Sequence, residues 1–292
     1  MKLVIIDSNA LVHRAYHALP PLTTKKGELV NAVYGFLLVF LKILRDLKPN
    51  YLAATFDFPG PSFRNKKFAD YKAKRIKAPE DLYKQIPKIK EILKSFKVPL
   101  FEEQGFEADD LIATISKKAV QKQIYPEIEI YILTGDLDAL QLVNKNVKVY
   151  TLGKGIKETV VYDEEKVKER FEILPKQVVD FKALAGDPSD NIPGATGIGK
   201  KRAVELIKEY GNIIELYKAI EKGEAWDLKP KIKELLLAYK DQVFFSYNLA
   251  KARMDAPLDF SLEKCQWKGY NKEKVIEYLR KYNFYSLIER LP

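Results

Sequence analysis

A chain of 292 residues, 47% hydrophobic and 31% charged, is long enough to bury the core of one large domain or two modest ones. The 50 Lys and Arg outnumber the 40 Asp and Glu, and the resulting charge of +10 points to a polyanionic partner, nucleic acid or anionic membrane. A single cysteine, Cys265, excludes an intrachain disulfide and a multi-cysteine zinc site, and with only His13 and His17 available any catalysis rests on carboxylates, lysines and metal.

Leu3–Ile6 reads as a short buried strand that ends in Asp7; it is too short for a signal peptide. Asn31 to Leu47 has helical spacing, and its longest apolar run, Phe36–Leu41, cannot cross a bilayer. A cytoplasmic protein without a membrane partner is therefore expected. Leu52–Phe56 is a second strand, followed by Asp57. Phe58 to Lys77 then breaks the pattern: Arg64, Lys66, Lys67, Lys72, Lys74, Arg75 and Lys77 are interleaved with Phe58, Phe63, Phe68 and Tyr71. A long basic loop of this kind in a compact domain is usually functional.

Helical patterns follow over Pro79–Phe96 and Ala108–Gln121, the latter opened by Glu107, Asp109 and Asp110. Strands over Glu129–Leu133, with Asp136 and Asp138 after it, and Val147–Leu152 complete an alternation that predicts an α/β domain with a mainly parallel, helix-covered sheet. From about Pro175 the reading turns helical: Gln177–Ala185, Lys200–Tyr210, Ile213–Ile220, Lys231–Asn248 and Lys272–Lys281. The division placed on this change is an α/β core over 1–165 and a helical region over 166–292.

Parallel strands bring their carboxyl ends to one rim, where ligands bind in open α/β sheets. Asp7, Asp57 and Asp136 end three such strands, and Asp138, Glu107, Asp109, Asp110, Asp187 and Asp190 lie in adjoining loops. Each can be explained alone as a turn or helix-cap residue. Nine carboxylates on one rim, however, repel unless cations compensate them. Hard oxygen ligands without His or Cys favour Mg²⁺ or Mn²⁺, and two such ions ~3.5–4 Å apart suit phosphodiester hydrolysis.

Gly194-Ala195-Thr196-Gly197-Ile198-Gly199-Lys200-Lys201 leads straight into a helix. Glycines permit positive φ and close approach, and the helix-start N–H groups with Lys200 and Lys201 form an anion site suited to a DNA backbone. A tight interhelical turn is the plainer explanation of the same residues.

Phe106-Glu107-Ala108-Asp109-Asp110, Thr134-Gly135-Asp136-Leu137-Asp138 with Gln141-Leu142-Val143, and Gly186-Asp187 through Gly199-Lys200 stand in a recognisable order and spacing. In these motifs the chain resembles, nearly end to end, the 5′-nuclease domain of bacterial DNA polymerase I, of the flap-endonuclease superfamily. The resemblance implies a PIN-like nuclease core and a helix–three-turn–helix DNA-binding motif near 177–210, where K⁺ can contact a phosphate. It implies that all nine carboxylates serve two Mg²⁺ ions, and that residues 58–77 form an arch over a single-stranded 5′ flap. Arg64, Tyr71, Lys72 and Arg75 would steer that strand: Tyr71 can stack on an unpaired base, and Lys72 or Arg75 can stabilise the scissile phosphate. Gly194, Gly197, Gly199, Lys200 and Lys201 would contact duplex DNA.

The implied activity is a monomeric, structure-selective 5′ nuclease of flaps, 5′ ends and primers in replication and repair, freestanding or joined to a polymerase module in cis or in trans. A PIN-like ribonuclease and a non-catalytic branched-DNA binding module are the competing readings. Ser8 stands where the family usually has glycine.

Overall fold

The computed structural model describes residues 1–121, 128–153 and 158–292. Six strands, β1 (Lys2–Asp7), β2 (Tyr51–Thr55), β3 (Leu100–Phe101), β4 (Glu129–Thr134), β5 (Val147–Leu152) and β6 (Thr159–Tyr162), form one sheet in the order β3-β2-β1-β4-β5-β6. All neighbours are parallel except β5 and β6. β1, at the centre, is buried on both faces, which is why Leu3–Ile6 is uninterruptedly apolar.

Strand alternation divides the core. Leu3 and Ile5 join one apolar layer and Val4 and Ile6 the other. The Val4 and Ile6 layer is covered by α1 (Ser8–Ala18), α2 (Asn31–Leu47) and α5 (Ile86–Ser95). Before α5 come α3 (Phe63–Lys67) and α4 (Glu80–Tyr83). The opposite layer is covered by α6 (Ala108–Gln121) and continues into the helical half. That half comprises α7 (Glu164–Phe171), α8 (Val178–Ala185), α9 (Lys200–Tyr210), α10 (Ile213–Lys222), α11 (Pro230–Ala238) and α12 (Lys240–Ala250), then α13 (Lys272–Lys281) and α14 (Tyr285–Ile288).

The mainly parallel α/β sheet with a helical second half agrees with the sequence reading. Two details differ. Pro79–Phe96 is two helices rather than one, because Pro87 lacks an N–H to donate and begins a new helix. The predicted Lys231–Asn248 helix is likewise interrupted at Tyr239. The helical half packs directly on the core. Val275, Leu279, Phe284 and Leu287 pack into the layer of α2 and α5, and the Trp267 N–H donates to the Asn50 carbonyl at 2.8 Å. Among the described residues no helix is long and apolar enough to cross a membrane.

Candidate active site

The site begins at the carboxyl end of β1, where Asp7 turns the chain into α1. One carboxylate oxygen caps the helix, accepting from the Ala10 N–H at 3.1 Å, and the other accepts from the Thr134 hydroxyl at 2.6 Å. Thr134 in turn accepts from the Asp136 N–H at 2.9 Å, which ties the ends of β1 and β4 together. Asp57, beyond β2, accepts from the Ala108 N–H at 2.8 Å and from Asn9 at 2.9 Å. Asp136 accepts from the Asp138 N–H at 2.9 Å. The capping role and the site role thus fall on the same aspartates.

Asp7, Asp57, Glu107, Asp109 and Asp136 line a cleft of about 610 Å³ above the strand ends, with Lys72 and Arg75 on its far wall. Burial pushes Asp7 up to about 7, against its hydrogen bonds and with added repulsion from Asp57 and Asp136. Burial, then Asp7 and Asp136, raise Asp109 well above the ordinary range. Asp57 is raised by burial and Glu107, with Lys72 and Arg75 opposing.

The remaining four predicted acids are distributed differently. Lys182 contacts both Asp138 and Asp187, with its nitrogen 2.6 Å from Asp187. Against burial, Lys182 and Ser189 hold Asp187 below its usual value, whereas burial lifts Asp138 to about 6 with Lys182 opposing. Asp190 accepts from Arg75 and from the Tyr71 hydroxyl. Asp110 is fully buried: Arg64 donates to both its oxygens at 2.8 Å, and the Arg253 and Glu107 N–H groups complete its shell. Every acceptor direction of Asp110 is taken in this conformation, chiefly by Arg64.

The Phe58–Lys77 segment, expected as a loop over a single strand, instead lies on the acids and contains a helix, α3, whose Ser62 caps it and donates to Glu107 at 2.9 Å. Arg64 is 3% exposed and also donates to the Leu249 and Lys251 carbonyls, so in this conformation it anchors the segment. Tyr71 is 4% exposed, packed with Ile192 and Leu249, and its hydroxyl donates to Glu107 and Asp190. Its ring is closed to stacking on a base in this conformation. Lys72 adopts φ +57°, uncommon for a side-chain-bearing residue, and reaches Glu107 at 2.9 Å. Burial raises Glu107 but Lys72 and Arg64 prevail and hold it below its ordinary value; Lys72 and Arg75 are raised by the carboxylates despite burial, and so stay charged.

Of Gly194, Gly197 and Gly199 in the turn before α9, only Gly197, at φ +89°, has the positive φ foreseen for the turn. A Cβ on Gly194 would lie 2.3 Å from the Gly186 nitrogen and 2.6 Å from the Leu184 carbonyl oxygen. Gly194 therefore permits the close approach of the turn to the end of α8. Gly199, the N-cap of α9, faces open space, and Lys200 and Lys201 are exposed beside helix-start N–H groups that have no side-chain cap.

Thr134, Asn9, Ser62 and Lys182 were not foreseen from the sequence. Thr134 opens the Thr134–Asp138 motif, but nothing in sequence ties its hydroxyl to Asp7, and Asn9 and Ser62 are single polar residues outside any motif. Lys182 did leave a sign, as the one cation inside the apolar Val178–Ala185 run just ahead of Asp187.

A parallel sheet that gathers carboxylates at its strand ends beneath a strap of lysine and arginine has the layout of a nuclease core. The chain matches the 5′-3′ exonuclease N-terminal resolvase-like domain over residues 2–172 and the 5′-3′ exonuclease C-terminal SAM fold over residues 173–273. It belongs to the 5′-3′ exonuclease family and is a phosphodiester hydrolase. DNA polymerase I of Caldicellulosiruptor bescii is 43% identical over 100% of this chain and 33% of its own length, so the chain spans about a third of that relative. A 5′-3′ exonuclease of Aquifex aeolicus is 37% identical over 99% of this chain and 94% of its own. The fold is that of the bacteriophage T5 D15 flap endonuclease, solved as a pseudo-enzyme–product complex with DNA and metal ions: TM-score 0.70, 20% identity, covering 96% of this chain and 100% of that one.

Proposed function

We propose that the cleft hydrolyses phosphodiester bonds at 5′ flaps, 5′ ends and primers of branched DNA, with its carboxylates holding two divalent cations, Mg²⁺ or Mn²⁺ in its place. The observation that carries this reading is the placement of five carboxylates on one rim, with Asp7 and Asp109 driven towards protonation by burial and by neighbouring carboxylates. Such a set fits a hard dication in its donor chemistry: all donors are oxygens and their charge is under-compensated. Among the described residues no three His, Cys, Asp or Glu side chains stand ready around one ion. The protein's own cations hold part of the set instead, Lys72 on Glu107 and Lys182 on Asp138 and Asp187.

Divalent cations bound here supply charge neutralisation and activation of water. Asp7, Asp57, Glu107, Asp109 and Asp136 hold them, with Asp138, Asp187 and Asp190 as a second group. Lys72 and Arg75, kept charged and facing the cleft, take the phosphate oxygens on which charge develops. Tyr71 orients Glu107 and Asp190 by donating to both.

Some 20 residues along the chain from Lys182, the free N–H groups of α9 with Lys200 and Lys201 grip a backbone phosphate without reading sequence, with Gly197 and Gly199 giving access and K⁺ as an additional partner. In this arrangement residues 1–165 cut and residues 166–292 hold the duplex, although the last helices serve the core. The relatedness to polymerases supports a polymerase module, in cis or in trans, as the partner that generates such ends.

Cleavage of a labelled flap duplex tests the reading. Mg²⁺-dependent release from the 5′ strand is expected, abolished by EDTA and lowered on the order of 10³-fold by Asp136→Ala. Undiminished cleavage in either control overturns it.

A further inference from the structure

The chain's two histidines, His13 and His17, are four residues apart on α1. That spacing sets them one turn apart on one helix face. Both line the carboxylate cleft. Among the described residues no hydrogen bond reaches either imidazole. Each ring is held instead by an aromatic edge, His13 by Tyr83 at 6.4 Å between centroids and His17 by Tyr16 at 5.2 Å. Arg14, between them in sequence, also lines the cleft and donates to the Gly153 carbonyl.

The surroundings favour the neutral form of His13. Burial lowers the His13 value, and repulsion from His17 and Arg75 adds to this, with only Asp57 opposing. A neutral imidazole keeps a nitrogen lone pair for coordination. Two imidazoles delivered from positions i and i+4 of a helix are the arrangement by which a helix offers two ligands to one transition metal. Imidazole nitrogen selects Zn²⁺ or Ni²⁺, whereas the carboxylates deeper in the cleft suit Mg²⁺.

We propose that His13 and His17 form a second metal site on the cleft wall, a two-imidazole chelate for Zn²⁺ or Ni²⁺ separate from the carboxylate site. Among the described residues no third His, Cys, Asp or Glu completes the pair, so the remaining positions fall to water. An ion there lies on the wall of the cleft that faces incoming substrate. Transition metal at this site therefore slows hydrolysis even when Mg²⁺ is saturating.

The test is calorimetric titration of Ni²⁺ into the untagged full chain in saturating Mg²⁺. One equivalent is expected to bind. His13→Asn and His17→Asn should each weaken it by roughly 10–100-fold, the scale on which metal-site partners act. Asp136→Ala should leave it intact, and circular dichroism confirms that the variants fold. The absence of any Ni²⁺ binding overturns the site. So does binding that survives both histidine substitutions but is lost in Asp136→Ala, which would place the ion among the carboxylates.

Discussion

On the strand side of the cleft, Asp7 and Asp109 face other carboxylates and are raised, Asp7 to about 7; on the helical side, Asp187 lies against Lys182 and is held below its usual value. Both sides use the same side chain in a desolvated place. What differs is the partner. The strand side is built from rigid strand ends whose hydrogen bonds come from Ala10, Thr134 and Ala108, neutral donors that orient the acids without neutralising them. The helical side carries its own cations. Burial raises a carboxylate most where only neutral donors and other carboxylates face it, and a nearby cation opposes that rise.

The largest effect is expected from the most fully paired acid. Arg64→Ala leaves Asp110 buried and uncompensated, and loss of about 3–5 kcal/mol in chemical denaturation is expected, as for other broken buried ion pairs. A loss below about 1 kcal/mol would show that the two N–H groups alone satisfy Asp110.

Lys182→Met tests the helical side directly. It removes the cation between Asp138 and Asp187, so the metal-free protein should lose about 3 kcal/mol. Added Mg²⁺ should restore more stability to the variant than to the parent, measured as the shift in denaturation midpoint. Equal shifts would mean that Lys182 does not stand in for a cation.

Asp7 offers a test by pH. Its folded-state value is raised from 3.8 to about 7. Stability from this group is fully present below about pH 4 and is lost as pH climbs through about 7, because the folded state resists ionisation that the unfolded chain accepts. Asp7→Asn keeps an oxygen for the Ala10 cap but cannot ionise. Without metal it should melt higher than the parent at about pH 8, by roughly 2–4 °C for each kcal/mol relieved, with the difference vanishing near pH 4. The opposite order at pH 8 would remove Asp7 from the under-compensated side.

The smallest effects separate the glycines. Gly199→Ala, in open space at the N-cap, should cost about 0.5–1 kcal/mol. Gly194→Ala, against backbone of Gly186 and Leu184, should cost about 1–3 kcal/mol or more. Thermal melts of the two variants compare a helix cap with a packing contact.

Much of the fold was legible. β1, β2, β4 and β5 are short apolar runs because parallel strands are covered on both faces, and α2, α6, α9 and α13 matched their predicted limits. The two-residue β3 and the half-buried β6 were not foreseen, since edge strands need neither an unbroken apolar run nor strict alternation. Helix α1 was not assigned limits either, although Asp7 that opens it was singled out.

The sequence by itself determined the composition of the site: which acids follow which strands, that no cysteine cluster and only two histidines are available, and that a basic segment follows β2. The shared rim follows from parallel strands, whereas strand order was settled by the tertiary structure. The tertiary structure also decided partners. It set Arg64 on Asp110, Lys182 between Asp138 and Asp187, and Tyr71 beneath the strap, and so divided nine carboxylates into those lining the cleft, paired acids and one buried against Arg64. The reason is physical. A carboxylate's role depends on the charge within a few ångströms of it, and for Glu107, Asp110 and Asp190 that charge comes from residues 35 to 115 positions away.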